Sequence, residues 1–175
     1  GFDLDVMRSG DLAAVSAMVS DGGALVQRLY GCGVPVVAAC TGHALAAGAL
    51  LLLGCDVRIG ADVPCKIGLN EVAIGMQLPV FAVELARDRL LATQFTAATM
   101  GAGIYDPVEA AAAGYLDRVV AADEVFAAAT AEAARLSELR TGAYAETKVR
   151  ARSTTADFVL STLAEDLAQI EVPQP

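Results

Sequence analysis

Apolar residues recur at Leu12, Val15, Met18, Val19, Leu25, Val26 and Leu29, the three-and-four spacing that gathers side chains on one side of a helix. Asp11 stands at the N-cap position, and Gly31 and Gly33 end the run. The Gly22-Gly23 pair weakens its middle. The pattern then changes. Pro35-Val-Val-Ala-Ala-Cys40 is a short continuous apolar run with β-branched residues, which predicts a strand buried on both faces, as parallel sheets require. A turn at Thr41-Gly42-His43 leads into a small-residue helix over Ala47 to Leu53, and a second strand follows from Asp56 to Gly60. Strand, helix and strand so closely spaced predict a βαβ unit, which opens a ligand position where the first strand ends and the helix begins.

Further along, Cys65-Lys-Ile-Gly-Leu69 reads as a short strand. Pro79 opens a helix, in one or two pieces, through Phe81, Val83, Leu85 and Leu90. Asp106-Pro-Val-Glu109 has the form of a capping box with proline at the first helical position, and Gly114 ends that helix. Tyr115 to Val120 returns as a strand, and an alanine-rich helix spans Asp123 to Leu139. Val159, Leu160, Leu163, Leu167 and Ile170 form one stripe of a final amphipathic helix over Ala156 to Ile170 that needs something to pack on. No repeat or low-complexity linker divides the chain. Residues 1–120 read as a core and residues 121–175 as a helical region of the same domain.

With 175 residues, 55% of them hydrophobic, one domain can bury a substantial core without disulfides or metals. Twelve Lys and Arg against 21 Asp and Glu give a net charge of -9, which disfavours nucleic acid and anionic lipid as partners. Lys148, Arg150 and Arg152 are the densest basic group; such a group is ordinarily a solvated surface, the alternative being a spot for one phosphorylated ligand. Cys32, Cys40, Cys55 and Cys65 form no CxxC pair and His43 is the single histidine, so no metal site is expected. Thiols in apolar surroundings suit a reducing, cytosol-like compartment. The apolar stretch from Val34 to Cys55 is interrupted by Pro35, the Thr41-Gly42-His43 triplet and Gly48 and lacks flanking basic residues, so no membrane span is expected. The start has no signal-peptide pattern, and Gly1 opening directly into Phe2-Asp3-Leu4 reads as a cut from something longer.

Four ordered segments resemble the crotonase (enoyl-CoA hydratase/isomerase) superfamily. Gly1-Phe-Asp-Leu4 is similar to the turn that supplies one oxyanion-hole amide. Pro35-Val-Val-Ala-Ala-Cys-Thr-Gly-His-Ala-Leu-Ala-Ala-Gly48, with Cys55-Asp-Val-Arg-Ile59, is similar to the central strand, its glycine-rich turn and the next strand. Gly68-Leu-Asn-Glu-Val-Ala-Ile-Gly75 resembles the segment with a catalytic glutamate, and Asp106 to Val120 the capped helix and exit strand. The resemblance implies an α/β fold, the ClpP-like spiral of ββα units with a C-terminal helical trimerisation region, whose N-terminal strands are absent from this chain. It also implies an acyl-CoA substrate of which coenzyme A is a part, no separate cofactor, and assembly as a homotrimer or dimer of trimers. Fatty acid β-oxidation in the cytoplasm, or in the mitochondrial matrix of a eukaryote, is the implied setting.

By the same resemblance, the backbone N–H groups of Phe2 and Ala47 form the oxyanion hole, the latter at a helix N-terminus whose dipole favours an anion. The family usually has glycine where this chain has Ala46 and Ala47; donors survive a methyl group if φ stays negative, so the hole is expected to be intact but less roomy. Glu71 is the implied acid/base carboxylate, with Ala46, Leu50, Leu69 and Ile74 about the substrate. Hydratases of the family carry a second glutamate at the position of Leu50. Leucine there, with the tetrapeptide Gly68-Leu-Asn-Glu71, resembles the mitochondrial-type 3,2-trans-enoyl-CoA isomerases, in which one carboxylate moves a proton from C2 to C4. Val72, Ile74, Met76 and Leu50 would desolvate Glu71 and raise its pKa. Hydration of a 2-enoyl-CoA and a catalytically weak acyl-CoA-binding role are the alternatives. His43 is expected to serve packing or hydrogen bonding, and Asp56 to pair with Arg58 or a nearby amide. Glu84, Arg87 and Asp88 could reach the acyl pocket from the following helix.

Overall fold

The computed structural model describes residues 1–168. The chain begins with a short helix α1 (Leu4–Arg8), capped by the Asp3 carboxylate, which accepts from the Asp5 and Val6 N–H groups. Five residues are too few to show a periodicity, so the sequence pattern did not announce this helix. Helix α2 (Leu12–Gly31) follows, with Asp11 accepting from Ala13 and Ala14 N–H, as expected of an N-cap. Of the anticipated stripe Val15, Val19 and Val26 are buried, while Leu12 and Leu25 are exposed and Tyr30, not part of it, is buried instead.

Strand β1 (Val37–Cys40) then enters a parallel three-stranded sheet with β3 (Val57–Ala61) and β5 (Arg118–Val120), in the order β1-β3-β5. Val37 lies opposite Val57, and Ile59 opposite Arg118. Between β1 and β3 runs α3 (Ala47–Gly54), which completes the βαβ unit. Two-residue strands β2 (Ala44–Leu45) and β4 (Ile67–Gly68) pair in parallel as a second small sheet. The first of these lies in the stretch expected as turn and helix entry, because two residues carry too little pattern to register as a strand. Helix α4 (Val80–Arg89) covers the stretch expected from Pro79 to Leu90 in one piece, and a separate single turn α5 (Phe95–Ala98) follows beyond it. In α6 (Pro107–Ala113) both hydrogen bonds of the capping box form, and Gly114 ends the helix.

The last two helices return to the body. Helix α7 (Val125–Ser137) packs on β1 and β3, and α8 (Thr141–Ala168) packs on α2 and α4. Helix α8 starts well before the expected Ala156. Its first half has few apolar residues and docks through charge. Lys148 Nζ lies 2.8 Å from Asp56 Oδ2 and Arg152 Nη1 2.9 Å from Asp56 Oδ1, while Arg152 also donates to the Tyr30 carbonyl and stacks over its ring at 4.4 Å. The expected single stripe is also incomplete, since Val159 is fully buried but Leu160 is 62% exposed. Leu163, Leu167 and Ile170 lie outside the described side chains.

These contacts correct one expectation and decide another. Lys148 and Arg152 are not a solvated surface, and of the two partners expected for Asp56 it is the nearby backbone amide, not Arg58, that it takes. Asp56 takes Lys148, Arg152 and the Val36 N–H. Arg58, itself buried, grips Asp117 through Nε and Nη2 at 2.9 and 2.7 Å. Burial opposes ionisation of Asp117, yet the Arg58 guanidinium outweighs it and holds that carboxyl below its ordinary value. All four cysteines are free thiols. No helix among the described residues is long and apolar enough to cross a membrane, and no group of three His, Cys, Asp or Glu side chains among them could hold a metal ion.

Candidate active site

The site begins where β1 and β2 hand over to α3. Ala46 N–H donates to the Gly68 carbonyl at 3.0 Å, and the Ala46 carbonyl accepts the Leu50 N–H of the first helical turn. Between these bonds the backbone of Ala46 stands at φ 49°, ψ -119°. This departs from the expected negative φ. It is a conformation that a Cβ disfavours and glycine accepts freely. Ala47 opens α3 with negative φ, and no side chain caps that helix end. Its N–H is therefore one of the first-turn amides with no partner inside the helix. Ala46→Gly is expected to relieve strain of about 1 kcal/mol and raise the melting temperature by about 2–4 °C in thermal unfolding. An unchanged or lower value would show that the turn tolerates the methyl group.

Opposite this turn, β4 runs out into Leu69, Asn70 and Glu71, and a single 3-10 turn (Val72–Ile74) follows. The turn closes on Gly75 at φ 78°, a left-handed residue that glycine adopts without penalty. The Glu71 carbonyl accepts from both Ile74 and Met76 N–H at 3.0 Å, so the backbone that carries the carboxylate is held twice. The side chain is 7% exposed, and its Oε2 is buried with no hydrogen-bond partner among the described residues. Burial pushes the Glu71 carboxyl above its ordinary value, with a backbone hydrogen bond acting weakly the other way.

Glu71 faces a cavity of about 430 Å³. Phe2, Ala46, Leu50 and Ile74 of the expected site share its lining. Met7, Leu45 and Phe81 add apolar wall, and Asn70 and Gln77 are the other polar side chains on it. A second cavity of about 240 Å³ adjoins; Gly1, Phe2, Leu50 and Phe81 line both, and Ala47 and Asp21 line only the smaller. The chain start and the first turn of α3 thus meet at one place, although they lie far apart in sequence.

Other expected residues fall elsewhere. Leu69 is fully buried and lines neither cavity. Val72 does not line the cavity with Glu71, whereas Leu50, Ile74 and Met76 do, although Ile74 is itself 53% exposed. Glu84 and Arg87 pair with each other at 3.2 Å, and Asp88 accepts from the Tyr30 hydroxyl at 2.7 Å; none of the three lines the cavity. His43 Nδ1 accepts the Lys66 N–H at 2.9 Å, the hydrogen-bonding role expected of it. Met7, Asn70, Gln77 and Phe81 were not singled out from sequence. Asn70 could have been found, being a polar residue next to Glu71 in the motif, but nothing in the local pattern marks Met7 or Phe81 as cavity residues.

Comparison with known proteins places the chain in a family. The enoyl-CoA hydratase/isomerase family model matches residues 1–169. Mouse mitochondrial enoyl-CoA delta isomerase 1 is 30% identical over 141 residues, 80% of this chain and 49% of that protein. A probable enoyl-CoA hydratase of Mycobacterium bovis is 30% identical over 145 residues, 79% of this chain and 54% of that protein. The chain spans about half the length of these curated relatives. An enoyl-CoA hydratase/isomerase family protein from Pseudomonas syringae matches with a TM-score of 0.93 at 40% identity, over 98% of this chain and 74% of that one. Human mitochondrial delta3-delta2-enoyl-CoA isomerase matches with a TM-score of 0.90 at 28% identity, over 96% and 66%. With the crotonase fold and nearly its whole length matched, this chain belongs to the enoyl-CoA hydratase/isomerase family.

Proposed function

We propose that this chain carries the acyl-CoA site of an enoyl-CoA isomerase, which converts a 3-enoyl-CoA to the trans-2-enoyl-CoA. The observation that carries the reading is that Glu71 is the single carboxylate on the larger cavity among the described residues, with leucine at position 50 of the same wall. The ionised Glu71 carboxylate takes a proton from C2, and the electron pair moves into the thioester as an enolate. Phe2 and Ala47 N–H groups donate to the enolate oxygen. Collapse of the enolate moves the double bond to C2–C3 as the Glu71 carboxyl returns the proton at C4. Donors of this kind contribute about 3 kcal/mol each where they have been removed singly in other enzymes. A raised pKa favours both halves, because the group must give the proton back as readily as it takes it.

A second reading, hydration of a 2-enoyl-CoA, draws on the probable hydratases among the relatives and on Asn70 and Gln77 in the wall, whose amides are of a type that can bind water. Neither amide can deprotonate it. Incubation with a 3-enoyl-CoA and, separately, with a trans-2-enoyl-CoA separates the readings. Conjugation is expected to exceed hydration by at least about 100-fold, the scale of one general base; comparable rates would transfer the assignment to hydration. No separate cofactor is invoked, since coenzyme A enters with the substrate. Assembly as a homotrimer or dimer of trimers is part of this proposal, and exposed apolar residues such as Phe126, Val108 and Met100 support it. A monomer by light scattering would overturn that part alone.

A further inference from the structure

The interior of α2 carries two adjacent glycines, Gly22 and Gly23, among the residues least suited to a helix interior. What faces them gives the reason. A Cβ on Gly22 would lie 2.5 Å from Cε1 and 2.9 Å from Cζ of Phe2, and one on Gly23 would lie 3.3 Å from Cε1 of Phe81. Both rings line the cavity that holds Glu71 and also line its smaller neighbour. The glycine pair lets two aromatic rings sit back against the helix, and the space they vacate belongs to the cavity.

The two rings are not equivalent. Phe81 is 2% exposed and fixed in the core, and at 3.3 Å it needs only a small adjustment to admit a methyl group. Phe2 is half-buried, and the atoms that crowd Gly22 are at the far end of its side chain. Anything larger than hydrogen at position 22 would push the Phe2 ring away from α2, and that ring lines both cavities. We infer that Gly22, by seating the Phe2 ring, sets the length of acyl chain accepted, and that the substrates are acyl-CoA thioesters of medium to long chain and not butenoyl-sized ones. The inference rests on the reading that the larger cavity takes an acyl-CoA. Its apolar walls, Leu4, Met7, Val19 and Leu45 among them, offer burial to each further methylene, and each buried methylene favours binding by about fourfold.

The test is a set of dissociation constants for saturated acyl-CoA thioesters from butanoyl to dodecanoyl, measured by titration calorimetry on the full chain, which needs no turnover. Wild-type affinity is expected to rise with chain length. Gly22→Ala is expected to weaken dodecanoyl-CoA binding by about tenfold or more, the loss of about two buried methylenes, with butanoyl-CoA changed less than about twofold. Phe2→Leu, a smaller side chain on an unaltered helix, is expected to shift preference toward longer chains and to restore dodecanoyl-CoA binding when combined with Gly22→Ala. An unchanged length preference in both single variants, or an equal loss at every length, overturns the inference and leaves the acyl-CoA reading standing. Absence of acyl-CoA binding by the wild type overturns both.

Discussion

Glu71→Gln is expected to lower turnover of a 3-enoyl-CoA by about 10³-fold or more, within the range of a lost general base, and at the same time to make the protein more stable at neutral pH. Both effects come from one fact. The carboxyl is buried, its Oε2 has no hydrogen-bond partner among the described residues, and burial raises its pKa. The sign follows from proton binding. Between its ordinary and its raised pKa, Glu71 holds a proton in the folded state that the unfolded chain has released, so its contribution to stability declines as pH rises through the folded value. Glutamine has the shape without the charge and escapes that decline. The melting temperature of the variant should therefore exceed that of the wild type at about pH 8, and the gap should close toward about pH 4, where both forms are neutral. In the wild type, kcat/KM should rise with pH through an apparent pKa above the ordinary carboxylate range. Full activity in Glu71→Gln would remove Glu71 from the mechanism, and a stability gap independent of pH would show that the pKa of Glu71 is not raised on folding.

Asp56→Leu is expected to be the most destabilising single change outside the apolar core. It would leave Lys148 and Arg152 without their shared carboxylate and the Val36 N–H without its acceptor. The side chains of Asp56 and Lys148 are 9% and 5% exposed, so water cannot replace the lost partner. Breaking a buried pair from one side costs about 3–5 kcal/mol, and denaturant unfolding should register a shift of that size. Removing Lys148 as well, as Asp56→Leu with Lys148→Met, should recover part of the loss, because no uncompensated ammonium then remains beside position 56. Additive losses in the double variant would mean that the two side chains act independently. The loss should be largest in α8, which these charges fasten to the end of α2, near Tyr30, and to the start of β3. Hydrogen exchange in residues 141–155 would report it as faster opening.

Much of the fold was legible in the chain, and the reason differs by element. The α2 helix, the β1 strand and the α6 capping box are local patterns, in which the residues that form the element are also those that signal it, although β1 is only partly buried, with Ala39 exposed, and not buried on both faces as expected. The crossover from β1 to β3 through α3 followed from the parallel-sheet rule. Four motifs in fixed order were enough to name the family and to single out Glu71, and a catalytic segment is legible because its chemistry restricts which residue types can stand there. Leu50 was informative for the same reason, through the carboxylate it does not have.

What depended on distance in sequence was not legible. Asp56 and Lys148 are 92 residues apart, and no local pattern distinguishes a lysine that will close on a buried carboxylate from one that stays in water. The early start of α8, the exchange of partners between Asp56 and Arg58, and the retreat of Leu69 from the cavity are of this kind. So is the backbone of Ala46, whose positive φ is imposed by holding the Gly68 carbonyl on one side and the Leu50 amide on the other. By itself the sequence determined most of the longer elements and the family, and it singled out Glu71 as the candidate carboxylate. Only the tertiary structure decided which side chains surround that carboxylate, because burial and hence its pKa depend on what the rest of the chain brings near it, Leu50 and Phe2 from one side and Ile74 and Met76 from the other.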